Sequence, residues 1–219
     1  TRVLAGTATS VVTGDLFDPA NDVEPGATAV STNGISTDIA GGRVIAKEVT
    51  KATGQITQAT TNNTHLKIGP LGVLDLVQTF TEALGAINTP SLNFADTVRV
   101  ISANNLNSNI DVVAHSQGGS IANGGLALLT DKIKFTINAK SYGAQLAFSN
   151  PKLNSIYNER GVNDPIPFID PRNWLNNLNG NITTYSDGKD GHGFIKNYGV
   201  EAILRGEAAE QQQNGNHDN

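Results

Sequence analysis

Residues 109–129, N-I-D-V-V-A-H-S-Q-G-G-S-I-A-N-G-G-L-A-L-L, constrain this chain more than any other stretch. Ile110 to Ala114 is a short apolar run with two β-branched valines and one charge, Asp111, the pattern of a buried strand in a parallel sheet. From Ser120 onward the residues are mostly small or apolar, as in a helix pressed against a sheet. Between them, Ala114-His115-Ser116-Gln117-Gly118 has to turn the chain from strand to helix, with a serine at the apex. So tight a turn strains its central residue, and bulk two residues away would obstruct it; alanine and glycine leave the room.

Such a unit belongs in a chain that alternates strands and helices, and the remaining sequence does alternate. Arg2 to Val12 reads as a hairpin around Gly6-Thr7, and residues 14–26 as a loop whose acidic residues lack calcium-loop spacing. Ala27 to Ser31 is a strand that runs into Asn33-Gly34-Ile35. Thr37 or Asp38 caps a helix through Val44, Ile45 and Val49, stopped by Gly54. Gln55 to Thr60 is a short strand, and Asn62 to His65 a polar loop in which His65 reads as a surface histidine. Leu71, Leu74, Val77, Phe80 and Leu84 recur at helical spacing, and a second helix spans about Asn93 to Ser102, with Phe94, Val98 and Ile101 on one face. Beyond the serine, strands are expected over Lys134 to Lys140, Leu153 to Tyr157 and Ile182 to Tyr185, with a closing helix from Phe194 to about Arg205. The alternation predicts an α/β, three-layer α/β/α sandwich on a mainly parallel sheet. From Glu207 the chain is polar with no core residue, so residues 1–206 read as one domain and 207–219, His217 included, as a disordered tail.

Composition removes several function classes. The formal net charge is −5 with no basic cluster, which argues against nucleic acid or an anionic membrane as partner. No apolar run approaches the roughly 18 residues of a transmembrane helix. Cysteine is absent, which excludes disulfides and thiolate metal sites, and no metal or cofactor is expected. Methionine is absent even at position 1, which reads as a processed or excised piece of a longer protein.

The chemistry-bearing residues come in a telling order. Asp164 follows Ser116 by 48 residues and His192 follows Asp164 by 28, each in a loop just past an expected strand. In a parallel sheet the strand C-termini share one edge, so loops distant in sequence converge there. A serine hydroxyl is a poor nucleophile near neutral pH; a neutral imidazole takes its proton during attack, and a carboxylate fixes the imidazole tautomer and stabilises its cation. Asp170 remains open as an alternative acid, whereas Asp187 and Asp190 lie only five and two residues before His192 and would need an unusual turn. His115, next to Ser116, is expected to point away from the nucleophile's base and to pack beside the strand; Asp111 is expected to bond a neighbouring loop.

Ala114-His115-Ser116-Gln117-Gly118 resembles the G-x-S-x-G nucleophile elbow of the α/β-hydrolases, with alanine for the first glycine, and Ser116, Asp164 and His192 follow the order of that family's triad. Asn33-Gly34-Ile35 resembles the family's His-Gly-x segment with asparagine for histidine, and equally reads as a plain Asn-Gly turn. The resemblance covers about Ala27 to Arg205. It implies that the backbone amides of Gln117 and Ile35 hold the oxyanion, at roughly 3 kcal/mol per donor. The chain looks most like small cap-less esterases and lipases, and is similar, less closely, to hydrolase-like modules at the C-termini of secreted bacterial haemagglutinin-type proteins. Implied are hydrolysis of carboxylic (acyl or lipid) esters through an acyl-enzyme, a small-molecule or lipid ester as partner, and a secreted or cell-surface location, with a role as an effector within a larger secreted protein. A cytoplasmic location, a catalytically silent fold serving as a binding module of a surface protein, and a peptidase, thioesterase or acyltransferase with the same triad are the alternatives.

Overall fold

The computed structural model describes residues 23–34, 39–60, 89–106, 108–185 and 191–215. The expected hairpin over 2–12, the loop at 62–65 with His65, the helix through Leu71 and Leu84, and the residues Ile35, Asp187, Asp190 and His217 lie outside them. The described elements are β1 (Ala29–Thr32), α1 (Ile39–Thr53), β2 (Thr57–Thr60), α2 (Thr89–Asn104), β3 (Ile110–His115), α3 (Gly118–Ala127), β4 (Ile137–Tyr142), β5 (Ser155–Gly161), α4 (Pro171–Leu178), β6 (Thr183–Tyr185) and α5 (Gly199–Gly215). The strands form one sheet in the order β2-β1-β3-β4-β5-β6, and every neighbouring pair is parallel. β3 is central, between β1 and β4. Register places Thr32 opposite Ala114, His115 opposite Tyr142 and Gly161 opposite Tyr185, so the loops that follow β1, β3, β4, β5 and β6 share one edge.

Alternation along the strands sorts side chains to two faces. Ile110, Val112 and Ala114 of β3 pack with Phe94, Ala95, Val98 and Ile101 of α2 and Ile121, Ala122 and Leu126 of α3. Each large apolar side chain buried here contributes about 1.5–3 kcal/mol. Val113 faces the other way, into a cluster with Ile45 and Val49 of α1 and Ala202 and Ile203 of α5. The helix stop at Gly54 is as expected: its φ is +75°, a left-handed conformation suited to glycine, and its N–H donates to the Thr50 carbonyl at 2.8 Å.

The α5 side of the sheet also carries charge. Lys140 of β4 is buried, and its Nζ lies 2.5 Å from Glu207, 2.7 Å from Glu210 and 3.3 Å from Asp111. Burial works against the ammonium, yet Asp111, Glu207 and Glu210 outweigh it and the Lys140 pKa is raised. As far as Gly215 the expected disordered tail is helix instead: α5 continues from Gly199 through Gly215. Its glutamate, alanine and glutamine residues are good helix formers. Glu207 and Glu210, three apart, share a face and find a buried cation. The segment needs no apolar face because it buries an ion-pair network instead. A second pair sits nearby, with Arg205 on Glu159 at 2.6 Å and over the Tyr185 ring at 3.6 Å.

Other boundaries move for local reasons. The strand expected from Lys134 starts at Ile137, because Asp131–Lys134 makes a helical turn first. The strand expected to end at Tyr157 runs on to Gly161, and the helix expected from Asn93 begins at Thr89. Helix α4 was not expected at all. Asp170 caps it by accepting from the Arg172 N–H at 2.9 Å, and Pro171 opens the first turn. This helix docks through asparagine: Asn173 accepts from the Ala147 N–H at 2.8 Å and donates to the carbonyls of Gln145 at 2.7 Å and Pro167 at 3.0 Å. Trp174, Leu175 and Leu178 are exposed.

Candidate active site

The serine turn sits at the C-terminal end of β3. Among the described residues Ser116 alone combines a side chain with a positive φ, +58°, a strained conformation that persists where the surroundings fix it. They do so here through the Ser116 carbonyl, which accepts from the Gly119 N–H at 3.1 Å and the Gln145 N–H at 2.8 Å. Two glycines allow the close packing. A Cβ on Gly118 would strike the Thr32 carbonyl, and one on Gly34 would lie 2.5 Å from the Gln117 nitrogen and 2.7 Å from Ser116 Oγ. The loop after β1 therefore lies directly against the serine and the amide that follows it.

Asp164 stands three residues beyond β5 and is almost wholly buried. Such a carboxylate needs donors, and it has three. Oδ1 accepts from the Ile166 N–H at 3.0 Å, Oδ2 from the Tyr198 hydroxyl at 2.5 Å, and His192 Nδ1 lies 2.9 and 2.8 Å from the two oxygens. Tyr198 is held in turn by the Gly161 N–H at 3.1 Å. Burial and the bond to Asp164 push the Tyr198 pKa well above its ordinary value, so the hydroxyl keeps its proton as a donor. Gly143, at φ +56°, leaves space for both groups: a Cβ there would collide with Asp164 Oδ2 and lie 2.5 Å from the Tyr198 oxygen.

With Nδ1–H donating to Asp164, His192 keeps the lone pair on Nε2. That nitrogen is buried and accepts no hydrogen bond among the described residues. The serine hydroxyl is not bonded to it in this state; such contacts commonly form only when substrate binds. The arrangement thus puts a buried imidazole with an open Nε2, the carboxylate bonded to its Nδ1 and a serine on a strained turn at the same sheet edge.

His115 is buried as expected, but its ring does not turn away from the base. It stacks on the His192 ring, with centroids 4.5 Å apart and planes 20° from parallel. Its Nε2 lies 2.8 Å from the His192 carbonyl oxygen and its Nδ1 2.8 Å from Asn33 Oδ1. Burial first, and the neighbouring His192 next, lower the His115 pKa to about 3. Asp170 is engaged elsewhere, capping α4 and pairing with Arg172 at 2.5 Å. Asp111 does bond a neighbouring loop, through Gln55 Nε2 at 2.6 Å, and also Asn138 at 3.0 Å. Among the described residues, Asp111, Glu207 and Glu210 bring carboxylate oxygens within 4.8 Å of one another, but the Lys140 ammonium already sits on all three. No described helix is long and apolar enough to cross a membrane.

Sequence reasoning missed two groups. Tyr198 falls inside the expected closing helix, where nothing assigns it a role at the site, and the contact of His115 with His192 has no sequence signal. Asn33 was singled out as part of a turn, not as a partner of His115.

No protein-family model matches the chain, and no curated protein matches it. Among solved structures, a Trichoderma reesei cutinase in complex with a C11Y4 phosphonate inhibitor is similar at a TM-score of 0.43 and 11% identity, over 94% of this chain and 84% of that one. The architecture itself is a six-stranded, all-parallel sheet with helices packed on both faces.

Proposed function

We propose that the protein is a serine hydrolase of carboxylic esters, lipid esters included, with Ser116 as nucleophile, His192 as base and Asp164 as the base's orienter. The observation that carries this reading is the state of His192: Nδ1 on a fully satisfied buried carboxylate, Nε2 buried without a partner among the described residues, and the strained Ser116 on the same sheet edge. A buried imidazole nitrogen left unbonded is costly in a merely structural cluster and useful in a base.

In the first half of the reaction Ser116 Oγ attacks the ester carbonyl while its proton passes to His192 Nε2. The negative charge that develops on the carbonyl oxygen is met by the Gln117 N–H, with the Ile35 N–H as the second donor, a contribution of roughly 3 kcal/mol each. Asp164 stabilises the imidazolium, which then protonates the departing alkoxide and leaves an acyl-Ser116. Water, deprotonated by the same Nε2, attacks the acyl carbonyl and restores the serine. Gly34 serves this step by keeping side-chain bulk off the Gln117 amide.

The test is to treat the pure protein with a fluorophosphonate and map the label by mass spectrometry, alongside ester turnover by Ser116→Ala and His192→Ala. Label on Ser116, and turnover lowered by at least about a thousandfold in either variant with the double variant little worse, is the expected result. A parent protein that neither labels nor hydrolyses esters points instead to a silent fold used for binding.

A further inference from the structure

His192 is flanked by Gly191 and Gly193, and Gly191 has a φ of +115°. Glycine on both sides gives the backbone of this residue the widest conformational freedom available to a chain. The bond to Asp164 holds the imidazole at one end, but a ring held only at Nδ1 can still swing about that bond as its own backbone moves. Something must hold the backbone of His192, and His115 is placed to do so.

We propose that His115 is a positioning residue for the hydrolytic base, fixing the His192 backbone from one nitrogen and the loop after β1 from the other. The proposal rests on the reading of His192 as the base. His115 closes β3, one residue before Ser116, so it moves with the strand that sets the nucleophile. Its Nε2 lies 2.8 Å from the carbonyl oxygen of His192, and a carbonyl can only accept, so Nε2 carries the proton. A neutral ring has only an acceptor left at Nδ1, which lies 2.8 Å from Asn33 Oδ1; turning the Asn33 carboxamide over, so that its oxygen and nitrogen exchange places, puts its N–H on Nδ1. Asn33 immediately precedes Gly34, which lies against Ser116 Oγ. One ring therefore links three parts of the site: the strand that bears the nucleophile, the loop that lies over it, and the backbone of the base.

The rest of the environment suits this role. His115 is enclosed by the His192 ring in a stack and by the edges of Phe194 and Tyr198, at 5.3 and 5.7 Å between centroids. The ionisable groups around it are His192, Asp164 and Tyr198, and burial keeps His115 itself uncharged well below neutrality. An uncharged ring face beside His192 accepts the imidazolium that forms during turnover, where a second cation would oppose it. Displacements near 1 Å at a reacting group lower rates severely, so a tether on the base should appear in turnover rather than in substrate binding.

The experiment compares three variants in the full chain, with p-nitrophenyl butyrate as substrate and fluorophosphonate labelling of Ser116 as a second rate. His115→Phe keeps an aromatic face on His192 and loses both hydrogen bonds. His115→Gln places an amide N–H near the Nε2 position, and His115→Asn, one methylene shorter, reaches only towards Asn33. Expected are a kcat about 10-fold below the parent for His115→Phe with KM within about twofold, recovery of most of that loss in His115→Gln, and no recovery in His115→Asn. In a His192→Ala background His115→Phe should lower the residual rate no further, because it acts through the base. Parental kcat and labelling rate in His115→Phe, an equal loss in the His192→Ala background, or His115→Asn at least as active as His115→Gln would each overturn the proposal. The glutamine–asparagine comparison decides the matter if the phenylalanine variant does not fold. Failure of the underlying reading looks different: there His192→Ala itself retains parental turnover.

Discussion

Two buried polar clusters share one side of the sheet, one towards the start of β3 and the other at its end, and they are wired in opposite ways. In the first, Lys140 meets Asp111, Glu207 and Glu210, while Gln55 and Asn138 occupy further carboxylate oxygens. Each of the three carboxylates lies within 3.3 Å of the one ammonium, Glu210 Oε2 as an ion-pair contact without a hydrogen bond. In the second, Asp164 is equally well supplied with donors, but the chain of bonds ends at His192 Nε2, which is buried with no partner among the described residues, at the sheet edge that also carries the strained Ser116. Buried polar groups are ordinarily satisfied because leaving one bare costs about 1–3 kcal/mol. Ion pairing to one ammonium suits the first cluster to a structural role; an imidazole nitrogen left open on the sheet edge that carries the strained serine is the feature on which the proposed chemistry of the second rests.

The contrast can be broken by experiment. Asp164→Asn should reduce ester turnover by the order of 10³–10⁴-fold, through loss of the correct imidazole tautomer. Near-parental kcat in that variant, measured by steady-state kinetics, would mean another acid serves His192. Lys140→Met should do the reverse. It leaves three carboxylates buried around an apolar side chain, and should lower the unfolding free energy by about 3–5 kcal/mol while turnover per folded molecule stays unchanged. Truncation after Gly206 should also destabilise, because Glu207 and Glu210 go with it. Replacing all four charged residues of the network by apolar ones should cost less than Lys140→Met alone, since no unpaired charge then remains. Denaturant titration of the three proteins decides between these outcomes, and a stable Lys140→Met would remove the distinction between the clusters.

A smaller effect belongs to Tyr198→Phe, which takes one donor from Asp164 without opening a cavity. Loss of a hydrogen bond to a charged group is worth about 1.5–3 kcal/mol, so turnover should fall roughly 10- to 100-fold if the carboxylate shifts in response. Smallest per unit is the pH term from His115. Its pKa falls from 6.5 to about 3 on folding, so between those values the unfolded chain carries a proton that the folded protein lacks. Stability from this group is complete above pH 6.5 and declines as pH falls through that window, by at most about 1.4 kcal/mol per pH unit. Unfolding free energies of the parent and His115→Phe measured from pH 7 to 4 should show the steeper decline in the parent; equal slopes would mean that His115 is charged in the folded protein.

Much of this was legible in the sequence because the signals are local. Two valines in an apolar run mark β3, a serine between small residues marks its turn, and the strand before Asp164 and the strand before His192 place both groups at the same edge once the sheet is parallel. Hydrophobic periodicity likewise located α1 and most of α2. Local patterns fixed these elements because backbone propensity and side-chain alternation act over a few residues. Partnerships over longer range left no such trace. Nothing near Glu207 announces that Lys140, 67 residues earlier, lies buried and waiting for a carboxylate. Trp174 and Leu175 look like core residues in a string of letters, yet α4 turns them outward, because Asn173 satisfies carbonyls that only the folded loop after β4 presents. The same holds at the site itself. The sequence by itself determined a parallel α/β sheet with Ser116, Asp164 and His192 at one edge as candidates. Only the tertiary structure decided that Tyr198 supports Asp164 and that His115 lies on His192, because those contacts depend on how β3, β5 and the segment leading into α5 meet in space.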